Sequence, residues 1–90
     1  MVDMDDIKDR IDKLVADLRK EYGELRVQAN LAKREAVEEL HELEGKIRKL
    51  DSKRKELGSA TADASKDIGA AAKLLGEEIR GGFRVIAKRL

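Results

Sequence analysis

Leu25-Arg26-Val27-Gln28-Ala29-Asn30-Leu31-Ala32-Lys33-Arg34-Glu35-Ala36 is the stretch whose conformation decides how this chain folds. Leu25, Ala29, Ala32 and Ala36 recur at steps of four, three and four residues, the spacing that lines side chains along one face of an α-helix. With no Pro anywhere in the chain to break it, the spacing predicts a helix that runs straight through. The face is small here, so a partner helix approaches closely or a larger residue opposite fills the gap.

The same face extends in both directions. Upstream it carries Ile7, Ile11, Leu14, Leu18 and Tyr22; downstream it carries Leu40, Leu43, Ile47, Leu50 and Leu57, with Arg54 the one charged member. The stem of Arg54 can line the seam while its guanidinium reaches water. Fourteen steps cover the 50 residues from Ile7 to Leu57, a period of about 3.57, between the coiled-coil repeat and the straight-helix value. Asp3, Asp5 or Asp6 can cap the start. Lys53, Arg54 and Lys55 complement the dipole at the far end, where Gly58 offers a left-handed stop. Residues 1–57 thus read as one amphipathic helix, of which about 50 residues carry the stripe over roughly 75 Å at about 1.5 Å per residue.

A turn over 58–61 follows, with Ser59 and Thr61 as N-cap candidates and Asp63 in the next first turn. Residues 62–90 read as a shorter helix rich in Ala and Gly, its stripe running Ala64, Ile68, Ala71, Leu75, Ile79, Phe83, Ile86 and Leu90. Ser65 and Gly69, and Ala72 and Gly76, lie four apart and allow close approach of a neighbouring backbone. The expected fold class is all-α: a long helix and a short helix in an antiparallel hairpin, coiled-coil in character. Its intrachain seam joins Ala36, Leu40, Leu43, Ile47 and Leu50 to Ile68, Leu75, Ile79, Phe83 and Ile86. The short helix, roughly 42 Å long, covers only half of the long one. Ile7, Ile11, Leu14, Leu18, Tyr22 and Leu25 are left without a cover, and the expectation is self-association through them into a dimer or tetramer.

Composition fits helices more than a self-contained core. Of 90 residues, 43% are charged and only Tyr22 and Phe83 are aromatic, while 20 Lys/Arg nearly cancel 19 Asp/Glu. That is the make-up of coiled coils and long helices. Without cysteine there is no disulfide, thiolate metal site or Cys nucleophile. The acidic start Met1-Val2-Asp3-Met4-Asp5-Asp6 is unlike a basic signal-peptide start, and no apolar run approaches a membrane span. The expected location is cytoplasmic. Gly23 and Gly45 lie off the stripe, each costing the helix about 1 kcal/mol relative to Ala. They read as tolerated surface glycines, kinks, or an outer contact in a larger assembly.

Candidate chemistry is sparse. Glu38 and His41 have the i, i+3 spacing of di-iron helix ligands, but at about 100° per residue they fall opposite the Ala36/Leu40 stripe. As the only His, His41 has no second imidazole for a triad or metal pair. The carboxylates interleave with bases as solvated faces and pairs such as Glu42–Lys46. No phosphate-loop motif occurs. The reading is no enzyme, no cofactor and no metal. Lys46, Arg48, Lys49, Lys53, Arg54 and Lys55 form a basic run, but it is diluted by Asp51 and Glu56 and spread around the helix, which argues against nucleic-acid binding. The C-terminal stretch is net positive and amphipathic; Phe83, Arg84, Val85, Lys88 and Arg89 are candidates for contact with an anionic membrane surface if Gly81-Gly82 lets this end swing away.

The order of features from Gln28-Ala29-Asn30-Leu31-Ala32-Lys33 through Leu57 and on to Phe83 resembles a group of small bacterial coiled-coil proteins, largely uncharacterised and some labelled stress-related. This chain departs from them in lacking Trp in its second helix. The resemblance implies no catalytic residue and no cofactor. The expected function is a non-enzymatic coiled-coil scaffold or assembly module that self-associates or joins a larger protein complex. The alternative is a stress-related protein at the membrane periphery.

Overall fold

The apolar stripe folds back on itself. A computed structural model describes residues 4–32 and 34–90 as three helices: α1 (Met4–Ala32), α2 (Arg34–Leu57) and α3 (Ala62–Arg89). Asp12 pairs with Arg54, Arg19 with Asp51 and Tyr22 with Glu44, so numbers rise along α1 as they fall along α2. The two are antiparallel. α3 runs antiparallel to α2, with Lys46 on Glu78 and Glu39 on Arg89. It runs parallel to α1, where Ile7 faces Gly69 and, seven residues on along both helices, Leu14 faces Gly76.

The expected unbroken helix over 1–57 is therefore corrected to two helices with a reversal between Ala32 and Arg34. Burial against helix continuity explains it. Burying Ile7, Ile11, Val15 and Leu18 contributes on the order of 6–12 kcal/mol at about 1.5–3 each. The break forfeits a few helical hydrogen bonds, each about 1 kcal/mol net. Folding back covers the stripe within the chain. The described bundle measures 45 × 19 × 15 Å, its long dimension matching α1 at about 1.5 Å per residue.

The same finding corrects the expected self-association stripe. Ile7, Ile11 and Leu18 are buried within the chain, and Leu14, Tyr22 and Leu25 are partly buried against that core. The face thought to lack a cover is covered by α2 and α3. The seam residues Ala36, Leu40, Leu43, Ile47, Leu50, Ile79, Phe83 and Ile86 are buried, with Ile68 and Leu75 partly so. Val15, outside the sequence stripe, is also buried. α1 meets two neighbours, and its apolar face must be wider than a two-helix seam. Asp6 lies inside α1; Asp3 and the side chains of Asp5 and Ala32 are outside the described residues.

The α2–α3 connection is a tight one. Gly58 N donates to Lys55 O, Ser59 N to Glu56 O and Ala60 N to Leu57 O, i to i−3 bonds that close the last turn of α2. Gly58 does not take the left-handed conformation expected of it, since no described glycine has positive φ. Thr61 caps α3, its side chain accepting from Ala64 N at 3.2 Å, while Ser65 Oγ, buried, donates to Thr61 O at 2.8 Å. No helix is long and apolar enough to cross a membrane among the described residues.

Gly82 sets how closely α3 packs on α2, and Gly45 does not. A Cβ on Gly82 would meet Leu43 Cδ2 at 2.8 Å and Cδ1 at 2.9 Å, whereas Gly45 has nothing within 4 Å. Both substitutions to Ala gain the same intrinsic helix propensity, about 1 kcal/mol, but only Gly82→Ala overpacks a buried leucine, at about 1–3 kcal/mol. Urea unfolding should place Gly45→Ala above the parent in stability and Gly82→Ala about 1–3 kcal/mol below Gly45→Ala. Equal stabilities would contradict the packing of α3 on α2.

Candidate binding groove between the first and third helices

The three seams differ in how their charges are used. Across α1 and α2, Arg54 bridges Asp12 at 3.1 Å while also holding Asp51 at 3.0 Å, and Arg19 reaches Asp51 at 3.6 Å. The guanidinium expected in water is spent closing this seam. Nearer the reversal, Tyr22 donates to Glu44 Oε2 at 2.5 Å, and Arg48 holds the other oxygen at 2.7 Å. Arg26 donates to the Tyr22 hydroxyl at 3.0 Å and lies 5.9 Å from the ring centroid. Across α2 and α3, Lys46 meets Glu78 at 2.7 Å and Arg89 meets Glu39.

Across α1 and α3 no ion pair forms among the described residues. An open groove of about 730 Å³ lies there, lined by Ile7, Ile11 and Leu14 of α1 and by Gly69, Ala72 and Gly76 of α3. Ile7 and Leu14 sit against Gly69 and Gly76, so the groove is shallow and open above them. Arg10 and Lys13 stand on the α1 rim and Lys66, Lys73 and Arg80 on the α3 rim, all exposed, with Asp17 and Glu77 the acids among them. None of the five cations is in an ion pair among the described residues. Toward the C-terminal ends of α1 and α3 a second recess of about 480 Å³ is lined by Leu25, Phe83 and Arg84, with Glu21 and Glu24 opposite.

The other sequence candidates separate under this geometry. In the basic run, Lys46, Arg48, Lys53 and Arg54 are engaged with Glu78, Glu44, Glu56 and Asp12, leaving Lys49 and Lys55 exposed. Glu38 and His41 are exposed on α2, and no cluster of three potential ligands occurs among the described residues. Of the membrane candidates, Phe83 is only 3% exposed and Arg89 is paired with Glu39, which leaves Arg84, Val85 and Lys88 on the surface. α3 continues as a helix through Gly81 and Gly82 and is docked by Phe83 and Ile86, the seam placement expected of those two residues. The groove leaves no mark in the apolar periodicity; its signal in the sequence is a base at every seventh residue, Lys66, Lys73 and Arg80.

The interhelix pairs leave a titration signature. The hydrogen bond from Tyr22, with Arg48 beside it, holds the Glu44 carboxyl below its ordinary 4.5 against a smaller opposing effect of burial. The Lys46 ammonium does the same for Glu78. Burial, then the Glu44 carboxylate, raises Tyr22 above 10.0. A carboxyl lowered in the folded state stabilises fully above its unfolded value, and that stabilisation is lost as pH falls through the folded value. Stability should therefore drop on acidification below pH 4.5, and a Glu44→Gln, Glu78→Gln chain should lose less between about pH 6 and 3 than the parent. Matching acid losses in the two chains, measured by urea midpoints, would show that these bridges do not couple to folding.

No protein-family model matches this chain, and no curated protein or solved structure matches it.

Proposed function

We propose that this protein is a non-enzymatic helical binding module, a scaffold or assembly component that accepts a partner along the groove between α1 and α3. One observation carries the reading: two of the three interhelix seams are spanned by ion pairs, and the third has none among the described residues. That seam keeps an open groove with an apolar floor and exposed cations on its rims. Flanking charges ordinarily complete a helical seam. Cations left beside an apolar groove provide for one more element. Association, with a larger protein complex or another copy, then uses a surface of the finished bundle, not the stripe of Ile7, Ile11 and Leu18.

A second reading, contact with an anionic membrane, is favoured by one end of the bundle. Val27 is 63% and Leu31 86% exposed near the end of α1, and Val85 and Leu90 are exposed on α3 at the same end. Arg34, Arg84 and Lys88 are exposed at that end as well. The apolar group there is Leu31 and its neighbours in place of Phe83.

A photo-crosslinking side chain at Lys73, Leu31 or Gly45, in the cells that make the protein, separates the readings. The module reading predicts discrete protein adducts from position 73 and few from position 45 on the outer face of α2. Lipid adducts from position 31 with none from 73 would replace it by the membrane reading. Equal adduct patterns from all three positions would contradict both.

A further inference from the structure

Lys66, Lys73 and Arg80 follow one another at intervals of seven residues along the α3 rim of the groove. Seven residues span about 10.5 Å of helix and drift only about 20° around it, so the three cations form a nearly straight rail. Arg10 and Lys13 stand on the opposite rim. Between the rims Leu14 remains only partly buried, an apolar floor reachable from outside.

We propose that the occupant is an amphipathic helix of a partner protein carrying a carboxylate at every seventh position. This rests on the groove reading above and supplies the chemistry of its partner. Such a helix repeats its charges at the same interval of about 10.5 Å, so each carboxylate meets one cation of the rail while its apolar stripe faces Leu14. Asp17 and Glu77 punctuate the rims and disfavour a partner whose negative charge is continuous. A bilayer surface has no axial period to match the rail. The outer face of α2 on a second copy fits poorly, because it presents Glu38, His41, Glu42 and Lys49, all exposed, with no apolar stripe to lay on the floor.

The test uses the full chain and three synthetic four-heptad peptides with identical apolar stripes, bearing Glu, Gln or Lys at one flanking position of each heptad. Fluorescence anisotropy should show the Glu peptide binding at least about tenfold tighter than the Lys peptide, with a preference that shrinks as salt rises. The triple variant Lys66→Glu, Lys73→Glu, Arg80→Glu changes exposed side chains only; its helicity, checked by circular dichroism, should persist while its preference inverts toward the Lys peptide. Equal binding of all three peptides to the parent chain would overturn charge recognition and leave the groove as a docking site. Binding to anionic vesicles but to no peptide would overturn the helical occupant. An uninverted preference in the folded triple variant would place recognition elsewhere on the bundle.

Discussion

The reversal between Ala32 and Arg34 sets Asp12 against Arg54 and Arg19 against Asp51, and the rest of the bundle is built on that juxtaposition. Once α1 lies along α2, the pair offers a two-sided apolar trough. α3, 28 residues long, is long enough to fill it from end to end. Leu18, Leu40, Leu50, Ile79 and Ile86, among the largest fully buried side chains, come from all three helices. No two helices alone would enclose them. The aromatic scarcity that argues against a self-contained core is offset by the evenness of this arrangement, in which aliphatic side chains repeat on every turn.

Closeness and openness come from the same residues of α3. Gly76 and Gly69 let α1 sit against the backbone of α3, with Leu14 and Ile7 placed where side chains would otherwise stand. The groove lined by those two glycines and Ala72 stays open to solvent. The other seams pair Lys46 with Glu78 and Arg54 with Asp12, charges that fix register more than they stabilise, since exposed ion pairs contribute at most about 1 kcal/mol each. The seam without them among the described residues is the one with cations to offer.

Much of this was legible from residue spacing. The stripe from Ile7 to Leu57 names most of α1 and α2's buried residues, Thr61 is the cap its type and position suggest, and Glu38 and His41 face outward as helical geometry requires. The reversal was not legible, because no Gly or Pro stands between Leu25 and Ala36 and the stripe keeps its phase across the break. Burial of the whole stripe decides it, a tertiary effect no local signal carries. Val15 and Val37 were the available hint. Each sits beside a stripe position and widens the apolar face, as a helix with two neighbours needs. The candidate groove was less legible than the fold, since its rail of Lys66, Lys73 and Arg80 is polar and gains meaning only when α1 is known to lie beside it.

The path of the chain at Ala32–Arg34 is the claim on which everything else depends, and the absence of cysteine makes it directly measurable. Spin labels on Lys8→Cys and Lys55→Cys, with the doubly labelled chain diluted into unlabelled protein, report the intrachain separation by pulsed electron resonance. The folded-back bundle predicts a short distance, under about 25 Å, from packed helices about 8–10 Å apart plus the label arms. A distance near 70 Å, the length of about 47 residues of unbroken helix, would contradict it.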